Sequence, residues 1–187
     1  RLRMKKKTAV GGGAICAVGM MISIVLSHGT VRTNEAGLEL IGNAEQCRRD
    51  PYKCPADKWT DGIGNTHNVK PGVRKTDQQI AADWEKNILI AERCINQNFR
   101  GKDMPDNTFS AMTSAAFNMG CGSLQTYYSK AKKRRVETSI HKWAQAGNWV
   151  NMCNHLPDFV NGGGVRLRGL EIRREKERQL CLTGLVK

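Results

Sequence analysis

The stretch EQCRRDPYKCPADKWTDGIG, residues 45–64, decides both the fold and the chemistry expected of this chain. Its apolar residues follow no helical period, and Gly62 and Gly64 interrupt it, so short strands and turns are predicted. Glu45 stands at its start, where a helix predicted over about 35–44 ends. The sequence therefore places one acid at the junction between a helix and a turn-rich strand region.

An acid in this setting suits a proton donor. Glycoside hydrolysis needs one carboxylic acid to protonate the leaving oxygen and a second group to act on water or on the sugar cation. Glu45 suits the first role. Spacing alone does not choose the second group, and the candidates by position are Asp50, Cys54, Asp57, Thr60 and Asp61.

Helical periodicity returns on both sides of this stretch. Thr33 or Asn34 is expected to cap the first helix, and Thr76 with Gln79 forms a capping box for a helix of about twenty residues. The next helix is expected to end at Gly120. Shorter helices are predicted over 124–132, 136–146, 149–153 and 170–182, with a flexible loop at 161–164. The predicted fold class is α+β, mainly helical, with one small N-terminal strand region.

Residues 1–31 are predicted to form a basic N-terminus and a weak membrane anchor, and residues 32–187 one domain. Residues 8–27 carry no charge, and twenty helical residues match a hydrocarbon core about 30 Å thick. The lysines at 5–7 predict a cytoplasmic N-terminus. Glycines weaken the span, at roughly 1 kcal/mol each. Three interpretations stay open: a cleaved signal peptide, a permanent anchor, and a marginal anchor that can leave the membrane, which fits best.

The chain is strongly basic. Its formal net charge is +13, and five cations among the first seven residues leave +8 for the remainder, which indicates an anionic partner or a merely solvated basic surface. No zinc-finger spacing, aromatic RNA-binding signature or long arginine-rich helix accompanies this charge, so no nucleic-acid partner is expected. No two cysteines stand three positions apart, and we expect neither a metal nor a cofactor.

The cysteine count indicates disulfides. Seven cysteines in a cytosolic protein would suggest metal or redox work, whereas seven behind an export segment suggest paired cysteines with one left over. They are Cys16, Cys47, Cys54, Cys94, Cys121, Cys153 and Cys181.

Several motifs carry a resemblance to a known family. The spacing of Glu45, Cys54 and Thr60 resembles the Glu-Asp-Thr spacing of the lysozymes of T-even-type phages, which are N-acetylmuramidases of glycoside hydrolase family 24. TDGIG at 60–64 is similar to their Thr-x-Gly-x-Gly turn. FNMG and GLEIRR, which start at Phe117 and Gly169, resemble the end of their central helix and the start of a C-terminal helix. The resemblance covers about residues 35–184.

The resemblance implies a lysozyme-like fold, with a long connecting helix and a helical C-terminal lobe. With the glycine-rich anchor, the chain resembles the signal-anchor-release endolysins in particular. These are exported through the host Sec translocon, held inactive on the inner membrane, and released to the periplasm to degrade peptidoglycan in cooperation with a holin. A monomer is expected, and the +8 charge would draw it to anionic peptidoglycan. The main alternative is a catalytically inactive, membrane-anchored wall-binding protein; a holin-like pore former is the third.

Only some of the family's site residues have an identical counterpart in this sequence. By the resemblance, Glu45 is the general acid and Thr60 helps to place the attacking water. Cys54 stands where most members have Asp, and a thiolate there could orient or activate water. Asn65 stands where the family usually has His, and His67 is expected to be merely exposed. One of two C-terminal arginines, Arg173 or Arg174, is expected to contact Glu45.

We expect the cysteines to control this site. A Cys47–Cys54 disulfide would occupy Cys54 while Cys16 lies in the membrane. After release, the Cys16 thiolate would attack that bond, pair with Cys47 and free Cys54. The alternative is that Cys16 only packs, as free cysteine often does. For the remaining cysteines the predicted structural disulfides are Cys94–Cys181 and Cys121–Cys153.

Overall fold

The computed structural model describes residues 15–54 and 56–185. The helices are α1 Val18–His28, α2 Glu35–Glu45, α3 Asp77–Asn98, α4 Asp106–Met119, α5 Cys121–Gln125, α6 Ser139–Gln145, α7 Trp149–Asn154 and α8 Arg168–Leu182. The strands are β1 Arg48–Lys53, β2 Trp59–Gly62, β3 Thr126–Ser129, β4 Arg134–Glu137, β5 Asn161–Gly162 and β6 Val165–Arg166. They pair as three antiparallel two-stranded sheets, β1–β2, β3–β4 and β5–β6.

The long helix α3 joins two hydrophobic cores. Trp84 and Ile88, in its first half, pack into a core with α1, α2 and the β1–β2 region. Ile95 and Phe99, near its C-terminal end, pack into a second core with α4 to α8. One helix therefore connects a smaller N-terminal lobe to a helical C-terminal lobe, which confirms the predicted mainly helical α+β architecture.

Part of the predicted anchor lies in the N-terminal lobe. α1 covers Val18–His28 and buries Met21, Ile22 and Val25 against α2 and α3. The predicted span starts at residue 8, and residues 8–14 lie outside the described part of the chain. Among the described residues, none of the helices has the length and apolarity needed to cross a bilayer.

The C-terminal end of α1 is fastened to α3 by polar contacts. His28 Nδ1 lies 2.5 Å from a carboxylate oxygen of Glu85, and the Thr30 hydroxyl donates to the other oxygen. Burial raises the pKa of Glu85, but the hydrogen bonds from His28 and Thr30 outweigh it and lower that pKa overall. The ionised Glu85 therefore favours the docked position of α1.

Gly42 sets how closely α1 can approach α2. A Cβ at Gly42 would lie 2.4 Å from Val18 Cγ1, whereas a Cβ at Gly19, in α1 itself, would meet nothing within 4 Å. Valine is stiff at χ1, so the Gly42→Ala variant must displace α1 at a cost of about 1–3 kcal/mol. We expect a smaller fraction of Cys16–Cys47 disulfide at equilibrium in a glutathione buffer. Gly19→Ala is the matched control, and an equal fraction in both variants would contradict this packing argument.

The predicted helix ends are confirmed where capping residues define them. Asn34 caps α2, since its side-chain oxygen accepts from the Gly37 N–H at 3.1 Å. Thr76 and Gln79 form both hydrogen bonds of a capping box at the start of α3. α2 ends at Glu45, so the acid does stand at the junction between a helix and the β1–β2 strands.

Three predictions for the segments after Gly120 are wrong. The helix predicted over 124–132 stops at Gln125, and β3 and β4 form a hairpin in which Tyr128 pairs with Arg135. The β-forming run of Thr126 and two tyrosines overrides the weak helical spacing. The loop predicted at 161–164 belongs to the β5–β6 hairpin, whose turn holds Gly163 and Gly164 at positive φ. The helix predicted over 136–146 starts only at Ser139, because Val136 belongs to β4.

Both predicted structural disulfides are also wrong. Cys94 pairs with Cys121 and Cys153 with Cys181, at Cα–Cα separations of 5.7 and 5.6 Å. The cause is the helix packing, since α5 lies against α3 and α8 lies against α7. Each bond joins helices of the C-terminal lobe that are already neighbours.

Candidate active site

Glu45 occupies a confined position at the end of α2. Its Oε1 accepts from Arg173 Nη1 at 2.7 Å, and its side chain is 23% exposed. On its other side, the turn at Gly64 approaches closely, since a Cβ there would lie 3.0 Å from Glu45 Oε2. Gly64 also has φ +64°, which favours glycine. The carboxyl group is therefore held between an arginine and a glycine turn.

Arg173 is itself held by buried charges. It lies on α8, and its Nε donates to Glu177 Oε1 at 3.2 Å. Glu177 is fully buried and also accepts from the Ser114 hydroxyl at 2.6 Å and from Arg174. Burial lowers the pKa of Arg174, and the charge of Glu177 opposes that shift. Of the two predicted arginines, Arg173 contacts Glu45, whereas Arg174 completes the network behind it.

Cys54 and Thr60 lie together across the β1–β2 hairpin. Cys54 directly follows β1, and Thr60, in β2, pairs with Tyr52. The backbone N–H of Lys58 contributes most to lowering the pKa of the Cys54 thiol, followed by the N–H of Ala56 and the Thr60 hydroxyl. These contacts favour the thiolate more than in an unperturbed cysteine, at the position where the family resemblance led us to expect a carboxylate.

Tyr52 is a site residue that the sequence argument missed. Burial raises the pKa of its phenol, and the charges of Glu45 and Cys54 raise it further, so the phenol is within the electrostatic influence of both groups. The Arg48 guanidinium stacks over the ring at 4.5 Å from its centroid and opposes the shift. The sequence did contain a signal for Tyr52. It lies two positions before Cys54, and residues two apart in an extended strand share one face.

The three acidic candidates for the second role are engaged elsewhere. Asp50 accepts two hydrogen bonds from Arg74, at 2.8 and 2.7 Å. Asp57 is exposed and pairs with Lys53. Asp61 is fully buried and lies 2.8 Å from Lys75 Nζ. Of the five candidates, Cys54 and Thr60 are therefore the two not already bound to a cation among the described residues.

The comparisons with known proteins agree with this geometry. Residues 42–177 match the family model described as Phage lysozyme. The chain belongs to the phage lysozyme family. It is 84% identical to the SAR-endolysin of Escherichia phage P1 over 183 residues, which cover 98% of this chain and 99% of that protein.

Two crystal structures of P1 phage endolysin Lyz differ in their similarity to this phage lysozyme. The active form matches with a TM-score of 0.92 and 84% identity, covering 94% of this chain and 99% of that one. The secreted inactive form matches with a TM-score of 0.64 and 85% identity, covering 83% and 98%. At nearly equal identity, the present fold is much closer to the active form.

A disulfide of this phage lysozyme joins the residues just before α1 and just before β1. Cys16 and Cys47 form a disulfide with a Cα–Cα separation of 5.1 Å, and the Cys16 N–H donates to the Cys47 carbonyl at 3.2 Å. Cys54 is the free cysteine among the described residues. This is the pairing that the sequence led us to expect after release of the anchor.

Asn65 stabilises the turn after β2. It is buried, its Nδ2 donates to Asp61 Oδ1 at 2.8 Å, and its Oδ1 accepts from Asn87. Two backbone hydrogen bonds at 3.0 Å also join Asn65 and Asp61. His67 is exposed, as predicted.

Within residues 15–54 and 56–185, no group of three or more His, Cys, Asp or Glu side chains could hold a metal ion.

Proposed function

We propose that this chain is an endolysin that hydrolyses the β-1,4 bond between N-acetylmuramic acid and N-acetylglucosamine in peptidoglycan, and so lyses the host for phage release. Membership of the phage lysozyme family makes a lysozyme-type glycosidase the starting point. The observation that carries the proposal is the carboxyl group of Glu45, which ends α2 and is confined between Arg173 and the Gly64 turn that follows the β1–β2 hairpin.

Each group has a role in this proposal. Glu45 is the general acid that protonates the leaving glycosidic oxygen. Thr60 helps to place the attacking water through its hydroxyl. Cys54, whose pKa is lowered by the Lys58 N–H and its neighbours, acts as a thiolate in the position of the usual carboxylate and orients or activates that water. Arg173 positions Glu45 and touches no reacting atom.

The products test which bond is cut. Purified sacculi digested with the oxidised protein should release muropeptides that carry N-acetylmuramic acid at the reducing end, and borohydride reduction followed by mass spectrometry identifies that sugar. Reducing ends on N-acetylglucosamine would assign the other glycosidic bond. Free stem peptides would assign an amide bond and overturn the glycosidase proposal.

We also propose that the enzyme is kept inactive by a Cys47–Cys54 disulfide until the anchor leaves the membrane. The Cys16 thiolate then attacks Cys47 Sγ, the Cys16–Cys47 bond forms, the Cys47–Cys54 bond breaks, and Cys54 leaves as a thiolate. The exchange needs no external oxidant or reductant. The lowered pKa of Cys54 makes it a good leaving group.

The packing of α1 supports this exchange. Met21, Ile22 and Val25 are fully or almost fully buried in the N-terminal lobe, so a segment able to enter a bilayer also has a site in the folded domain. Docking of α1 places Cys16 directly beside Cys47. Burial of these apolar side chains would stabilise the released state by several kcal/mol at about 25 cal/mol per Å².

The location follows from the same proposal. The basic N-terminus stays in the cytoplasm, the anchor holds the domain at the outer face of the host inner membrane after Sec-dependent export, and release delivers it to the periplasm. In this proposal the enzyme acts in cooperation with a holin. The names of the similar SAR-endolysins fit this sequence of events.

A further inference from the structure

The β3–β4 hairpin carries an unusual concentration of charge. Residues 126–137 read TYYSKAKKRRVE, in which five cations face one carboxylate for a net charge of +4. That is half of the +8 carried by the chain beyond its first seven residues. The cations are Lys130, Lys132, Lys133, Arg134 and Arg135, and all five are exposed.

Most of these cations have no anionic partner among the residues that the structure describes. Arg135 is held within the ribbon, where its Nε and Nη2 donate to the Thr126 hydroxyl and carbonyl at 2.9 Å. For the other four, no carboxylate of the described residues lies within ion-pair distance. Like charges gathered without partners repel one another and favour binding of an anion.

The base of the hairpin is fixed, so these charges are held in a defined place. The Cys94–Cys121 disulfide fastens α5, from which β3 continues directly, to α3. On the other strand, the buried Thr138 closes the hairpin. Its hydroxyl donates to the Leu124 carbonyl, and its N–H donates to the Gln125 carbonyl at 2.9 Å.

A cavity lies between the Gly64 turn and the start of α5. It has a volume of about 210 Å³ and is lined by Gly64, Phe117 and Cys121, among others. Gly64 approaches the Glu45 carboxylate, and Cys121 begins α5. α5 continues directly into β3, so this cavity lies between the turn beside Glu45 and the helix that carries the hairpin.

We propose that the β3–β4 hairpin is a second binding site for the substrate polymer, and that its free cations bind the carboxylates of the peptide stems. This inference rests on the proposed function, because it takes peptidoglycan as the substrate. Tyr127 and Tyr128, which are 53% and 59% exposed, add apolar contact area on the two faces of the ribbon. The hairpin retains the cut polymer near the site without touching the reacting bond.

Binding can be measured separately from hydrolysis. We would use the full chain with Glu45→Gln, so that purified sacculi stay intact, and measure the Kd by sedimentation. In that background, Lys130→Gln, Lys132→Gln and Lys133→Gln together should raise the Kd about tenfold, or about 1.4 kcal/mol. The matched control replaces three exposed cations elsewhere, Lys70, Arg93 and Lys102, by Gln and should change the Kd less than twofold. Equal changes in the two triple variants would overturn the proposal, since general charge alone would then explain binding.

A second measurement needs no substitution. Amidation of the stem carboxylates should raise the Kd of the protein with the unsubstituted hairpin about tenfold. It should leave the Kd of the triple hairpin variant unchanged. If the protein with the unsubstituted hairpin bound amidated sacculi with the same Kd, the proposal would be overturned. Hairpin-dependent sedimentation with phosphatidylglycerol vesicles, but not with sacculi, would also overturn it and assign a membrane surface instead. These measurements report binding and not which bond is cut. The proposed function is tested separately, by the products of digestion.

Discussion

Cys16→Ser is expected to give a protein that is exported normally but does not lyse cells. Without the Cys16 thiolate, nothing within the chain attacks the proposed Cys47–Cys54 bond, and Cys54 stays unavailable. Serine and cysteine have nearly the same size, so a change in packing would not explain a loss of lysis. Loss of the thiol would explain it, because Cys16 lies directly beside Cys47. Lysis of an induced culture, with nonreducing peptide mapping of the released protein, measures the effect.

The matched control for Cys16→Ser also replaces Cys54, the cysteine that leaves in the proposed exchange. The double variant Cys16→Ser and Cys54→Asp removes both the attacking thiol and the bond that needs attack, and aspartate supplies the carboxylate typical of the family position. It should lyse cells without any Cys16–Cys47 bond. Full lysis by Cys16→Ser alone would refute the exchange, and Cys16 would then be a packing residue.

The local signals in the sequence were sufficient to place the acid and its immediate surroundings. Glu45 ends α2, and Cys54 and Thr60 lie together on the β1–β2 hairpin that follows it, so both features were set by residues close in sequence. Capping residues such as Asn34 and Thr76 fixed the helix starts for the same reason. These features depend on backbone hydrogen bonds between neighbours in sequence, which spacing alone can reveal.

Features that depend on packing between distant segments were not predictable in this way. Cys94 had three possible partners, Cys121, Cys153 and Cys181, and the packing of α5 on α3 selects Cys121. Arg173 and Arg174 are adjacent, and the rotation of α8 against α4 decides which one reaches Glu45. The β3–β4 hairpin was missed because its tyrosines and cations are exposed, and a segment without a buried stripe gives no periodic signal.

Glu45→Gln is expected to reduce the hydrolysis rate by a factor on the order of 10³, because the amide cannot supply the proton that the leaving oxygen needs. Glutamine keeps the shape of the side chain, and its carbonyl oxygen can still accept from Arg173 Nη1, as Glu45 Oε1 does at 2.7 Å. The fold should therefore survive the change. Clearing of chloroform-treated Gram-negative cells by the oxidised protein measures the rate.

Glu39→Gln is the matched control for Glu45→Gln. Glu39 lies on the same helix, α2, is exposed, and undergoes the same change from a carboxyl group to an amide. Among the described residues it has no ion pair, so its variant should clear cells at the unsubstituted rate. Equal clearing by Glu45→Gln would remove Glu45 from the chemistry. Failure of the unsubstituted protein to clear cells while it still binds sacculi would instead favour a wall-binding protein without catalysis, in which Cys54 has replaced an essential carboxylate.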